Sequence, residues 1–241
     1  MSQNHPPHLS IVIPAYNEER KIEQDITAVF EYFQDQSYPI EIIVVNDGSK
    51  DATLQKVQML CAKYKDLRCV SYPNNRGKGY AVKTGVLKSK GNYLLFVDAG
   101  SCVPYNAIDQ GFSILKNGVD IAIGSRALRN SNIIAKQQLY RRVGGRIFWL
   151  LIRFFLGVKE LSDTQCGFKM FTKEAACRIF AEQQIDGFMF DIEWIIRAQK
   201  YGYKMKEFPL QWICDKDSRF RFFPGAFRVF YDLIRIKLKG R

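Results

Sequence analysis

Five short apolar runs, each followed within a few residues by a polar, sharply punctuated segment, constrain the fold of this 241-residue chain more than any other feature. LSIVI (9–13), IEIIVV (40–45), RCVSY (67–71), NYLLFV (92–97) and VDIAIG (119–124) have strand length and are rich in branched residues. Such runs fit strands covered on both faces. Helical patterns fill the gaps, at 18–34, 51–65, about 78–89 and before 119. Strands alternating with helices predict an α/β fold, a mainly parallel central sheet flanked by helices. The length suits one such domain with a sizeable core.

Ligands of parallel sheets gather at the carboxyl ends of the strands. The segments PAYNEE (14–19), NDGSKDAT (46–53), NNRGKGYA (74–81), DAGS (98–101) and GSR (124–126) follow the five runs in order. Turn and cap chemistry explains any one of them, because Asn-Asp-Gly-Ser turns readily and Asp, Ser and Thr cap helices. Five on one rim, carrying Asp, Asn, Glu, Arg, Lys and glycines, predict a polar ligand site. It is not a dinucleotide fingerprint, since Val82 stands where the third glycine would be, and no Walker-type GxxxxGK[ST] occurs.

Composition removes several other chemistries. The only histidines are His5 and His8, in a Pro-containing stretch (1–8) expected to be disordered, so no His-based triad or His-ligated zinc site is expected. The six cysteines, at 61, 69, 102, 166, 177 and 214, show no CxxC or metal-like spacing and are expected to be reduced in a cytoplasmic setting. No basic segment followed by an apolar one marks a signal peptide. The longest greasy run, IFWLLIRFFLGV (147–158), is too short to span a bilayer and contains Arg153. A net charge of +12 favours an anionic partner. No nucleic-acid motif accompanies it, so nucleic acid is not expected.

After residue 140 the pattern changes. YRRVGGRIFWLLIRFFLG (140–157) is amphipathic, basic and aromatic, and KELSDTQCGFKMF (159–171) reads as a polar loop. Helices near 172–182 and 188–200 and a strand near 203–208 follow. The domain is expected to run from 9 to 217, with 218–241 as a basic, aromatic, amphipathic tail. In that tail Phe227, Phe230 and Ile234 share one helical face, with Arg228, Arg235, Lys237 and Lys239 at its margins. This pattern suits a helix lying in a membrane interface, or one packed on the core.

Taken in order, these segments resemble family 2 glycosyltransferases with the GT-A fold, over roughly 9–215. SDTQCGFKMFTKEAA (162–176) followed by FDIEW (190–194) is most similar to the polyprenyl-phosphate (dolichyl-phosphate) β-glucosyltransferase group. The resemblance implies that Pro14, Ala15, Tyr16 and Glu18 line a uridine pocket and that Asp47 reads the uracil. Gly48 and Ser49 would admit close backbone approach. Arg76, Gly77, Lys78, Asp98 and Ala99 would face the nucleotide sugar. Members typically carry Asp-x-Asp for a divalent ion, Mg²⁺ or Mn²⁺. Here the first acid is Asp98, but Gly100 holds the second place and Ser101 is a weak neutral neighbour, so a metal held through Asp98 would be bound weakly. Arg126, with Arg141 or Arg142, would then help neutralise the leaving UDP.

The resemblance places the acceptor at Arg141, Arg142, Gln165, Lys169 and Asp191. Asp163 is either a general base or a residue that orients Gln165 or a cation, because a phosphate acceptor is already anionic. The expected activity is inverting transfer of a hexose, glucose from UDP-glucose, onto a polyprenyl phosphate. The expected place is the cytosolic membrane face, with the chain peripheral there or recruited by a membrane protein partner. A mannose-synthase-like enzyme, a polysaccharide glycosyltransferase and, given Gly100, a non-catalytic UDP-sugar binder are the alternatives.

Overall fold

The computed structural model describes residues 6–100, 103–134, 139–158, 160–213 and 226–239. Four βα units and a fifth strand form its first half. They are β1 (Leu9–Ala15), α1 (Ile22–Phe33), β2 (Ile40–Asp47), α2 (Thr53–Lys63), β3 (Leu67–Tyr72), α3 (Lys78–Lys88), β4 (Tyr93–Val97), α4 (Ala107–Lys116) and β5 (Ile121–Ser125). A two-residue strand β6 (Asn132–Ile133) and the helix α5 (Leu139–Leu156) follow. The chain continues through β7 (Phe168–Thr172), α6 (Lys173–Ala181), α7 (Phe190–Lys200), β8 (Met205–Pro209), β9 (Gln211–Trp212) and α8 (Ala226–Lys239).

The main sheet has the order β3-β2-β1-β4-β7-β5-β8, and β6 pairs with β9. Its strands are parallel except β7, which runs antiparallel to both β4 and β5. Alternation along the buried strands splits the core between the two faces. Ile11, Ile13, Ile42, Val44, Leu95 and Phe168 pack with α1, α2 and α4. Val12, Ile43, Val45, Leu94, Phe96 and Phe171 pack with α3, α6 and α7. Every one of these strand residues is at most 3 % exposed, which explains why the runs lack polar alternation.

Two expectations need correction. Phe168–Thr172 is a central strand, not the end of a polar loop. Its polar residue Lys169 broke the apolar signature of a buried strand. Because β7 is antiparallel, its start lies at the rim where the parallel strands end, with Phe168 opposite Val97. The loop before it therefore enters the site. The second correction is His8, which is ordered: its N–H donates to Pro39 O at 2.8 Å and its ring packs on Tyr38, Tyr93 and Phe112. It precedes β1, at the opposite end of the strands from the rim.

The tail helix α8 buries Leu233 and Ile236 against the core face that includes α7, so part of it is an ordinary packed helix. Tyr231 and Leu238 remain 61 % and 74 % exposed. The side chains of Phe227, Arg228, Phe230 and Lys239 lie outside the described residues, as do residues 1–5, Ser101, Cys102 and Cys214. The described cysteines are free thiols.

Candidate active site

The loops after β1 and β2 are fastened to each other first. Asn17, at φ 54, donates its N–H to Ser49 Oγ at 2.9 Å, and its Oδ1 accepts from Lys50 N at 2.6 Å. Glu19 adds a bond from Ala52 N at 3.0 Å. Pro14, Ala15, Tyr16 and Glu18 sit on this wall, with Tyr16 exposed at its edge. Gly48, at φ 66, lets the wall touch the next loop: a Cβ there would lie 2.5 Å from both Asn74 C and Asn75 N. Gly48→Ala is therefore expected to destabilise the fold by about 3 kcal/mol, combining the left-handed backbone cost with backbone overpacking. A denaturant titration checks this; an unchanged midpoint would mean that the two loops do not pack in this way.

Asp47 is buried and holds the third loop. Its Oδ1 accepts from Arg76 N at 2.8 Å, and its Oδ2 accepts from Gly77 N at 2.9 Å and Asn75 Nδ2 at 2.8 Å. Three donors from one loop thus converge on the carboxylate expected to read a base. Loop positioning is what the geometry displays for it. The Arg76 guanidinium carbon lies over Tyr80, 3.4 Å from the ring centroid, with half of its side chain exposed. Gly77, at φ 109, closes on Asp186 O, which also accepts from Tyr80 N at 3.1 Å.

Lys78 opens α3 and points at the end of β4. Its Nζ is 2.7 Å from Asp98 Oδ1 and 2.9 Å from Oδ2. Burial lowers the Lys78 pKa, but Asp98 and Asp191 outweigh it and the net shift is upward, so the ammonium stays charged. Asp98 N–H donates to Gly167 O at 2.9 Å, and a side chain at Gly167 would strike the Asp98 carboxylate. This contact joins the loop before β7 to the nucleotide side of the rim.

That loop carries Asp163, which forms a forked pair with Arg126 at the end of β5. Arg126 Nε and Nη2 donate at 2.7 and 2.8 Å, and the Arg126 backbone N–H adds a third bond at 3.0 Å. Burial raises the Asp163 pKa, but the guanidinium wins and holds it below the usual carboxylate range. Burial likewise opposes the charge of Arg126, and Asp163 more than compensates, raising its pKa. Neighbouring Cys166 is pushed up to about 12, by burial and then by Asp163, so it is no nucleophile. Glu207 on β8 clamps the loop through Ser162 N, Ser162 Oγ and Asp163 N at 2.7–2.9 Å. Gln165 offers a buried Nε2 with no hydrogen-bond partner.

Lys169 and Asp191, expected to touch an acceptor, are instead sealed beneath the site, 0 % and 3 % exposed. They form an ion pair, and Trp194 Nε1 also donates to Asp191 at 3.2 Å. The Lys169 ammonium lies against the rings of Phe96 and Trp194. Glu193, two residues on, faces elsewhere and caps Gln184 N and Ile185 N. The side chains of Arg141 and Arg142, on α5, are outside the described residues.

Sequence reading missed Asn17, Asn75, Glu207 and Asp25. Asp25 is 2 % exposed on α1 and accepts from Gly100 N at 2.6 Å. Its signal was readable, as an acid beside Ile22, Ile26 and Val29 on a helix face that is buried. Glu207 carried no local signal.

Among the described residues, one carboxylate, Asp98, is what the protein offers a divalent cation, and its Oδ1 has no hydrogen bond. Both oxygens of Asp98 already face an ammonium, and Gly100 supplies no side chain. Among the described residues, no three His, Cys, Asp or Glu side chains converge to hold a metal.

The family described as Glycosyl transferase family 2 matches residues 10–180. A dolichyl-phosphate β-glucosyltransferase of Dictyostelium discoideum is 33 % identical, covering 96 % of this chain and 74 % of that protein. The Homo sapiens protein of that name is also 33 % identical over 96 % of this chain and 75 % of its own. The Saccharomyces cerevisiae one is 32 % identical over 95 % and 74 %. Among solved structures, Mycobacterium tuberculosis glucosyl-3-phosphoglycerate synthase with UDP superposes with a TM-score of 0.68 at 19 % identity, covering 97 % of this chain and 80 % of that one. The same protein with Mn²⁺, UDP and glucosyl-3-phosphoglycerate gives 0.68 at 20 % identity, over 97 % and 80 %. The expected fold is borne out by this likeness.

Proposed function

Because the chain belongs to glycosyl transferase family 2, we propose that it transfers glucose from UDP-glucose to a polyprenyl phosphate, with inversion. Two things support this acceptor. The similarity to dolichyl-phosphate β-glucosyltransferases extends over nearly the whole chain. The observation that carries the chemistry is the forked Arg126–Asp163 pair. A carboxylate held ionised by a guanidinium is a poor proton acceptor, so it suits a nucleophile that arrives already anionic. A sugar hydroxyl would need a stronger base.

In this reaction an acceptor phosphate oxygen bonds to the anomeric carbon as the bond from that carbon to the UDP β-phosphate oxygen breaks. The electron pair stays on UDP, which leaves with one more negative charge, and no proton need move. The uridine would lie along Pro14, Ala15, Tyr16, Glu18 and the Asp47-pinned loop, where Gly48, Ser49 and Gly77 permit close backbone approach. Arg76, Lys78 and Arg126 would face the phosphates, and Ala99 and Asp98 the sugar side. Gln165, with its unpartnered Nε2, would meet the acceptor, joined by Arg141 and Arg142 from α5. Asp163, Lys169 and Asp191 would act by position.

The lipid's membrane gives α5 and α8 a reason for their surfaces. Leu150, Phe154 and Phe155 of α5 and Tyr231 and Leu238 of α8 are exposed, and Lys237 lies 3.9 Å from the Phe155 ring centroid. We assign these helices to the membrane interface, with cations at the lipid phosphates. No helix among the described residues is long and apolar enough to cross a membrane.

Purified protein given labelled UDP-glucose and a short polyprenyl phosphate is expected to form glucosylated lipid. GDP-mannose should give no product, and the dephosphorylated polyprenol should react at least about a thousandfold more slowly. Comparable transfer to the polyprenol or to a soluble sugar would sink the phosphate-acceptor reading.

A further inference from the structure

We propose that this site stabilises the departing diphosphate without a divalent cation, the Lys78 ammonium standing in the place of the metal. The inference rests on the nucleoside-diphosphate reading above and names the charge that serves it.

The backbone itself excludes the second acid. Gly100 has φ 110, a conformation L side chains rarely adopt, and its N–H is tied to Asp25 Oδ2 at 2.6 Å. An aspartate at 100 would be strained in this loop. The remaining acid, Asp98, is paired with Lys78: its Oδ2 accepts a hydrogen bond at 2.9 Å, and its Oδ1 lies 2.7 Å from the same ammonium without a hydrogen bond of its own. A metal on the Asp98 Oδ1 would lie beside that ammonium, and the two like charges would compete for one carboxylate.

The charges balance without the ion. A divalent cation on two carboxylates sums to zero, and so does one ammonium on one carboxylate. Where an ammonium on one carboxylate replaces a divalent cation on two, the net charge around the diphosphate is unchanged. Lys78 can reach out as well as back, because an ammonium has three donors and a fifth of its side chain is exposed. It also begins α3, whose amino end favours an anion. Arg76, half exposed on the preceding loop and braced on Tyr80, adds a second cation two residues away.

The test is calorimetric titration of the full chain with UDP and with GDP, in EDTA and in Mn²⁺, with Mn²⁺ binding followed separately by electron paramagnetic resonance. Wild type is expected to bind UDP with affinities within about threefold in the two buffers and to show no Mn²⁺ site of its own. Lys78→Ala should lose about 10–100-fold in EDTA, the range for a hydrogen bond to a charged group. Mn²⁺ should then restore part of that loss, since Asp98 is released. Lys78→Arg should stay closer to wild type than Lys78→Ala.

Wild-type affinity rising tenfold or more with Mn²⁺ would overturn the proposal, as would Lys78→Ala binding like wild type in EDTA. Should Lys78→Ala fail to fold, the two wild-type buffers decide by themselves. A preference for GDP would defeat the uridine reading while leaving the Lys78 comparison valid on that nucleotide.

Discussion

Lys169→Met is expected to destabilise the fold by about 3–5 kcal/mol, the effect of stripping one partner from a buried ion pair. The methionine fills a similar volume, so the loss comes from charge and not from a cavity. Asp191 would lose its ammonium partner beneath the site, keeping the Trp194 indole N–H and the more distant charge of Lys78. The double variant Lys169→Met with Asp191→Leu should recover most of the stability, because two apolar side chains no longer need each other. Denaturant midpoints of the three proteins measure this directly.

The same pair decides whether Lys169 touches the acceptor. Sealed from solvent, it should not, and the double variant should then retain activity within about tenfold, with little change in the KM for lipid. A stable double variant whose lipid KM rises a hundredfold would return Lys169 to the acceptor surface and contradict its placement.

Asp163→Asn is the second large effect. Arg126 would lose its ionic partner while a quarter of its side chain, 24 %, stays exposed, so the stability loss should be near the lower end, about 3 kcal/mol. The catalytic loss should be about a hundred- to a thousandfold in kcat, since Arg126 and the loop clamped by Glu207 would no longer be held. The shape of the pH profile distinguishes the roles. Were Asp163 a general base, the asparagine variant would lose the acid limb of the wild-type profile. As a positioning residue that is already ionised, it should lower the rate at every pH and leave the limb where it was.

Stability carries a matching signature. The folded pKa of Asp163 lies below its ordinary value of 3.8. The unfolded chain therefore binds the proton more readily, and the stabilisation is fully present above that value. It is lost as the pH falls from there through the folded value. Acid unfolding below about pH 4 should thus be less steep in Asp163→Asn than in wild type.

Much of this molecule was legible because the relevant physics is local. Four of the five apolar runs are strands covered on both faces, the third being the half-exposed edge strand β3, and the helices between them favour a parallel sheet. The direction of those strands sends every following polar segment to one rim. Gly48 could be read as a point of close approach, and a φ of 66 is what such a point requires. The missing second acid at Gly100 was visible as a departure in the same way.

What the sequence could not determine was which charges would neutralise one another. Lys78 meets Asp98 across 20 residues, Lys169 meets Asp191 across 22, and Arg126 meets Asp163 across 37. Five of these six residues looked like ligands for substrate, and Asp163 like a base or an orienter of Gln165 or a cation, because an isolated charge carries no mark of its partner. The Lys169 and Asp163 pairs form only once β7 is inserted antiparallel between β4 and β5, which sets Lys169 opposite Phe96 and brings Gly167 against Asp98. Strand order and register are long-range properties, decided by the packing of two core faces together. The strand ends along one rim were written in the sequence, and the tertiary structure decided which of their charges stay exposed for a ligand and which hold the fold.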